Sequence, residues 1–228
     1  MGGTIDLRLC VITDAGMAAN TPIEQIVVSA IRGGTTLIQY REKDACVRDK
    51  YERAAALCRV VKQTGVPFIV NDHADLALAV EADGVHLGQD DLPPAVARRI
   101  LGDGSILGVS VGSVAEARRA EQDGADYLSV GPLFPTMTKL DAGEAINRKL
   151  VTEIVKTAAL PVIAIGGIDA TNASEVMRLG VDGVAVISAV MTADDPMSAA
   201  RQILDKVDSS RSTSALAEQM EMMQDDAD

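Results

Sequence analysis

Tryptophan is missing from this 228-residue chain, which holds only two phenylalanines and three tyrosines, while 47% of its residues are hydrophobic. A sizeable core is therefore expected, and it must be aliphatic. Cys10, Cys46 and Cys58 are odd in number and fit neither a Cys-x-x-Cys nor a Cys/His metal spacing, so the thiols read as packing residues and a reducing, cytoplasmic setting is expected. No apolar run approaches the roughly 18 residues of a membrane span, and the opening MGGTIDLR has neither the basic nor the apolar part of a signal segment. Positive charge is in deficit. A net charge of -12 excludes a general surface for nucleic acid or anionic membrane, so any anionic substrate needs a local cluster of cations. Also absent are the G-x-S-x-G elbow, a zinc cluster, the Walker A loop and the G-x-G-x-x-G fingerprint. Covalent, zinc and nicotinamide chemistries lose weight accordingly.

What is present is a rhythm. Short apolar runs occupy residues 9–13, 36–40, 67–71, 84–88, 106–110, 127–131, 161–166 and 183–188, and near-continuous Val, Ile and Leu over such lengths suits parallel strands buried on both faces. Helical stretches at 21–32, 46–63, 73–81, 93–101, 113–122, 144–157, 171–179 and 195–207 alternate with them. Thr21-Pro22-Ile23-Glu24 and Ser113-Val114-Ala115-Glu116 match the capping box. A weak repeat, EADGVHLG, DGADYLSVG and LGVDGVAVIS, places a small residue and an Asp between helix and strand. The expected fold is α/β, a single (β/α)8 TIM barrel with a short acidic C-terminal tail. Residues 1–207 form the catalytic barrel, and 208–228 a tail that is disordered or a short helix. Met220, Met222 and Met223 leave room there for a partner or homo-oligomer contact.

Parallel barrels carry their chemistry at the C-terminal strand ends. After the second run, Gln39, Arg41 and Lys43 alternate, and two cations with an amide make an anion clamp, the alternative being a solvated charged loop. Asn71 and Asp72 follow the third run and Gln89, Asp90 and Asp91 the fourth. Carboxylates converging from neighbouring strands suit Mg²⁺, although Asp72 and Asp91 each precede a helix, where Asp is an ordinary cap. GPLFPTMTK after the sixth run offers Thr136, Thr138 and Lys139 to phosphate oxygens. Gly166, Gly167 and Ser188, after the last two runs, occupy the usual phosphate position of such barrels. That makes a second anion site facing the clamp. His73 and His86 read as satisfied surface or core residues.

With QYREK, VND, HLGQDD, GVS, GPLFPTMTKLDA, AIGGI and VIS in this order, the chain resembles the thiamine phosphate synthase (thiamine-phosphate pyrophosphorylase) family from about Leu7 to Val207. The resemblance implies a transferase that joins hydroxymethylpyrimidine diphosphate to hydroxyethylthiazole phosphate, small-molecule substrates both, with release of pyrophosphate and use of Mg²⁺. It implies that Arg41, Lys43, Asn71 and Lys139 contact the diphosphate and that Asp72 and Asp91 ligate Mg²⁺. Gln39 and Ser110 match positions beside the pyrimidine, with Ser110, Arg41, Lys43 and Lys139 in the catalytic group. Thr136, Thr138, Gly167, Ile187 and Ser188 match the thiazole-phosphate pocket. Two departures stand out: AGEAINRKL after Asp141 lacks proline and reads as early helix, and Asp90 replaces a commoner Glu. Alternatives are a thiazole-phosphate tautomerase, which has no use for the clamp, and a non-catalytic phosphate-binding barrel.

Overall fold

Each apolar run forms one strand: β1 Leu9–Ile12, β2 Leu37–Tyr40, β3 Phe68–Asn71, β4 Gly84–Leu87, β5 Ile106–Val111, β6 Tyr127–Val130, β7 Val162–Ile165 and β8 Gly183–Val186. They pair in sequence order, all parallel, and β8 closes on β1. Around them run α1 Ile23–Arg32, α2 Val47–Lys62, α3 Ala74–Ala79, α4 Pro94–Leu101, α5 Val114–Gln122, α6 Arg148–Thr157, α7 Ala173–Met177, α8 Ser188–Met191 and α9 Pro196–Asp225. This is the expected (β/α)8 barrel. The computed structural model describes residues 5–18, 21–135 and 146–225, with the side chains of α9 as far as residue 213.

Register divides each strand between two environments. Cys10 stands beside Leu37, Ile12 beside Gln39, Gln39 beside Ile69, Asn71 beside His86, His86 beside Gly108, Gly108 beside Tyr127, and Ser110 beside Ser129. Residues in register share a face and alternate along each strand, so this set fills the barrel interior while Val11, Ile38, Val70, Val85, Leu107 and Leu128 turn out to the helices. The outer layer is the aliphatic core that composition promised. Inside, polar groups stand among the aliphatic ones: Gln39, Asn71, His86 and Ser129 are buried there with Tyr127. Gly108 makes this interior feasible, because a Cβ on it would lie 2.1 Å from Cζ of the Tyr127 ring.

The internal repeat has a structural cause. Asp83, Asp126 and Asp182 each accept, through Oδ2, the N–H of the first or second residue of the preceding strand: Phe68 at 2.8 Å, Leu107 at 2.7 Å and Val162 at 2.8 Å. Each also donates its own N–H to that residue's carbonyl. Thr36 does the same for Leu9 ahead of β2, accepting at 3.0 Å. The entry to every even-numbered strand is thus clamped to its odd-numbered neighbour, which sets the register of four strand pairs at the N-terminal end and leaves the opposite rim free for function.

Of the two capping boxes, one forms. Ser113 Oγ accepts from Glu116 N–H at 3.2 Å, and the Glu116 carboxylate reaches back to Gly112 N–H at 2.7 Å. Replacing Ser113 with alanine is expected to cost about 1 kcal/mol, read as a lower urea midpoint with an unchanged slope. At α1 the sequence reading fails: the cap position is Pro22, whose carbonyl starts the helix, and no side chain caps it. The last helix runs from Pro196 to Asp225 as one element. The side chains of Met220, Met222 and Met223 lie outside the described residues.

Candidate active site

The C-terminal rim opens into a cleft of about 450 Å³. Its walls come from β2 to β5 on one side and from β6 to β8 on the other, and they include Arg41, Lys43, Asn71, Asp72, Asp91 and Ser110 facing Gly131, Gly167, Ile187 and Ser188.

Arg41 is the best-fixed cation. Only 7% of its side chain is exposed, and Nη1 donates to Asp14 Oδ2 at 2.7 Å. Its backbone N–H donates to Thr13 Oγ1 at 3.0 Å. Among the described residues Nε is buried without a partner, and such a donor on a buried guanidinium at a cleft wall is suited to an anion. Lys43, exposed on the same wall, is close enough to draw the Asp72 carboxyl downward. Both cations line the same wall of the cleft. Asp14, which orients it, went unnoticed in the sequence because nothing in VITDAG marks it as more than a turn residue.

Asp72 and Asp91 do converge, close enough to hydrogen-bond one another. Neither caps a helix. His73 and Pro93 hold the cap positions of α3 and α4, and no side chain bonds the free N–H groups there. Asp91 Oδ2 accepts instead from Gly88 N–H at 2.6 Å. Asp72 has φ 66°, a left-handed conformation that Asp tolerates better than most residues, and its N–H is tied to the His86 carbonyl at 2.8 Å. Burial, and then the charge of Asp91, push the Asp72 carboxyl above its ordinary value. Two hard carboxylates in mutual conflict on the wall that carries Arg41 and Lys43 fit a divalent cation. Among the described residues no group of three His, Cys, Asp or Glu could hold a metal, so substrate and water would complete its shell.

On the opposite wall the exits of β6 and β7 are laced together. Leu133 N–H donates to the Ile165 carbonyl at 3.0 Å and Phe134 N–H to the Gly166 carbonyl at 3.1 Å. Gly167 has φ 65°, and a Cβ there would come within 2.8 Å of Phe134 Cβ. Asn172 Nδ2 holds the Gly167 carbonyl at 2.8 Å. Phe134 is covered in turn by the Arg148 guanidinium, 5.5 Å from the ring centre, which also pairs with Glu175. The backbone at Gly166 and Gly167 is therefore held rigid next to Ile187 and Ser188.

The profile of the thiamine monophosphate synthase family matches residues 9–190. The chain belongs to that family. The thiamine-phosphate synthase of Chloroflexus aurantiacus is 50% identical over 199 residues, 87% of this chain and 92% of the relative. That of Methanospirillum hungatei is 47% identical over 201 residues, covering 88% and 98%. The solved thiamine phosphate pyrophosphorylase from Pyrococcus furiosus superposes with a TM-score of 0.81 at 42% identity, covering 91% of this chain and 98% of that one. A 3-hexulose-6-phosphate synthase structure at 15% identity and a TM-score of 0.66 shares the barrel alone.

Of the residues that the family resemblance singles out, Arg41, Lys43, Asn71, Asp72, Asp91, Ser110, Gly167, Ile187 and Ser188 line one cleft. Gln39 does not. It lies in the barrel interior, 2% exposed, hydrogen-bonded to Tyr127, with Oε1 buried and without a partner among the described residues. Thr136, Thr138, Lys139 and residues 142–145 lie outside the described residues; in the described part of AGEAINRKL the helix begins only at Arg148, later than the sequence suggests, because the Asn147 side chain caps it by accepting from Lys149 N–H. His86, read from sequence as a satisfied core histidine, is satisfied, but it also lines the cleft. No helix among the described residues is long and apolar enough to cross a membrane.

Proposed function

We propose that this member of the family is a transferase that joins hydroxymethylpyrimidine diphosphate to hydroxyethylthiazole phosphate, forming thiamine phosphate and releasing pyrophosphate. The observation that carries the reading is the facing of two unlike anion sites across one cleft: a buried arginine, a lysine and a carboxylate pair on one wall, and a rigid glycine turn with Ser188 on the other. A tautomerase acting on the thiazole alone would have no use for the first wall.

Cleavage of the pyrimidine C–O bond sends the electron pair to the diphosphate and leaves a cation on the ring methylene. The thiazole nitrogen then supplies its lone pair to form the C–N bond. That nitrogen carries no proton, so no general base is required, and none is needed from His73 or His86. What the chain must provide is charge stabilisation of the leaving group and alignment of two partners. Arg41, oriented by Asp14, and Lys43 receive the growing negative charge, with Lys139 from the loop after β6. Asn71 donates to the same phosphates. Asp72 and Asp91 would hold Mg²⁺, which when bound neutralises diphosphate charge. Ser110 and Gln39 orient the pyrimidine, Gln39 from beneath the cleft floor. Gly167, Ile187 and Ser188, with Thr136 and Thr138, seat the thiazole phosphate.

Purified protein with both substrates and Mg²⁺ is expected to yield thiamine phosphate and pyrophosphate in equal amounts; no product from either assay overturns the reading. Ser188→Ala is expected to raise KM for the thiazole phosphate about tenfold with kcat nearly unchanged, measured with the pyrimidine substrate saturating.

A further inference from the structure

Beneath the cleft runs a chain of polar side chains that the proposed reaction leaves unused. Tyr127 is fully buried, and burial holds its phenol well above the ordinary value, so it keeps its proton. A buried phenol proton needs an acceptor. Gln39 donates to the phenol oxygen, which leaves His86 Nδ1, 2.8 Å away, as the acceptor of the phenol proton. An imidazole that accepts at Nδ1 carries its own proton at Nε2, and Nε2 lies 2.9 Å from Ser110 Oγ. The serine oxygen is then the acceptor of that bond, and its own proton is directed elsewhere. Ser110 and His86 both line the cleft, and a ligand seated there can accept that proton. The serine is also fixed along the strand, since Gln89 Nε2 donates to its carbonyl at 2.6 Å.

We propose that Tyr127 and His86 are positioning residues that set the Ser110 hydroxyl as a hydrogen-bond donor into the cleft, toward the lone pair of a ring nitrogen on the pyrimidine substrate. The identity of that ligand rests on the function proposed above; the polarity of the chain does not. A ring edge presenting N–H in place of the lone pair would meet a donor and be refused.

The chain has two histidines, so in a His73→Gln background the imidazole nitrogens of ¹⁵N-labelled protein report His86 alone. The expected spectrum is a neutral ring with its proton on Nε2, and Tyr127→Phe is expected to mix the two tautomers. A proton on Nδ1, an imidazolium, or a Tyr127→Phe spectrum identical to the parent's overturns the proposal, whether or not the protein turns over substrate.

Kinetics test the link to Ser110. Ser110→Ala and His86→Leu are each expected to lower kcat/KM for the pyrimidine diphosphate roughly ten- to a hundredfold, leaving KM for the thiazole phosphate unmoved. The double variant is expected to be no worse than Ser110→Ala, because His86 acts through the serine. His86→Gln, which keeps an N–H in the Nε2 position, is expected to recover most of the loss and serves if His86→Leu does not fold. Losses that multiply in the double variant, or no recovery with glutamine, would overturn the relay. A parent without turnover would instead sink the function reading, and the spectrum alone would then decide the polarity.

Discussion

Asp91→Asn is expected to lower turnover by roughly a hundred- to a thousandfold while leaving the free protein as stable as the parent or more so. The two effects part because Asp91 does two things. Its Oδ2 accepts from Gly88 N–H at 2.6 Å, and an asparagine carbonyl can keep that bond and the turn it closes. Its charge, on the other hand, works against the neighbouring Asp72, whose carboxyl is pushed up by burial first and by Asp91 second. Removing one of two conflicting carboxylates relieves the free protein. It also halves the protein's contribution to a divalent cation, so the Mg²⁺ concentration for half-maximal rate is expected to rise at least tenfold, checked by Mg²⁺ titration of initial rates alongside urea unfolding without metal. A variant that lost stability but kept the parent's Mg²⁺ requirement would make Asp91 a turn residue and nothing more.

The barrel was legible because its two signals do not depend on distant contacts. Apolar runs and the small-residue-then-Asp connection are local, and the latter encodes a specific bond: Asp83, Asp126 and Asp182 each hold the neighbouring strand's first N–H groups. The rim cations and carboxylates were legible because the fold dictates which residues end a strand. Three features were not. Asp14 is a turn residue until Arg41 comes to lie 2.7 Å from it, and only closure of β1 on β2 brings that about. Pro22 displaced Thr21 as the start of α1: its φ suits a helix but its ψ of 134° is extended, so it stands just outside and its carbonyl is the first acceptor. The polar barrel interior was hidden by periodicity: a strand such as YLSV has its tyrosine and serine on the inner face and Leu128 and Val130 outside, and reads in sequence as one apolar run. His86 illustrates the limit, since it bonds to Tyr127, 41 positions away, and Ser110, 24 positions away.

That interior leaves Gly108 no room for a side chain. In Gly108→Ala the added methyl would stand 2.1 Å from Tyr127 Cζ and 2.3 Å from its hydroxyl oxygen, far inside van der Waals contact. Neither partner has freedom to yield: Gly108 lies within β5, in register with His86 and Tyr127, and the ring is fully buried at the base of β6. Overpacking of this kind costs about 3 kcal/mol or more. The ring's alternative is to swing away, which breaks the 2.8 Å bond to His86 and leaves a buried phenol without an acceptor, so either response is destabilising. The clash is with the ring itself, hence Tyr127→Phe should not rescue the variant, whereas Tyr127→Leu, which vacates the volume, should restore part of the lost stability. Urea unfolding of the two singles and the double decides this. A Gly108→Ala protein as stable as the parent would mean that the space beside β5 is open and that Tyr127 does not occupy the barrel interior.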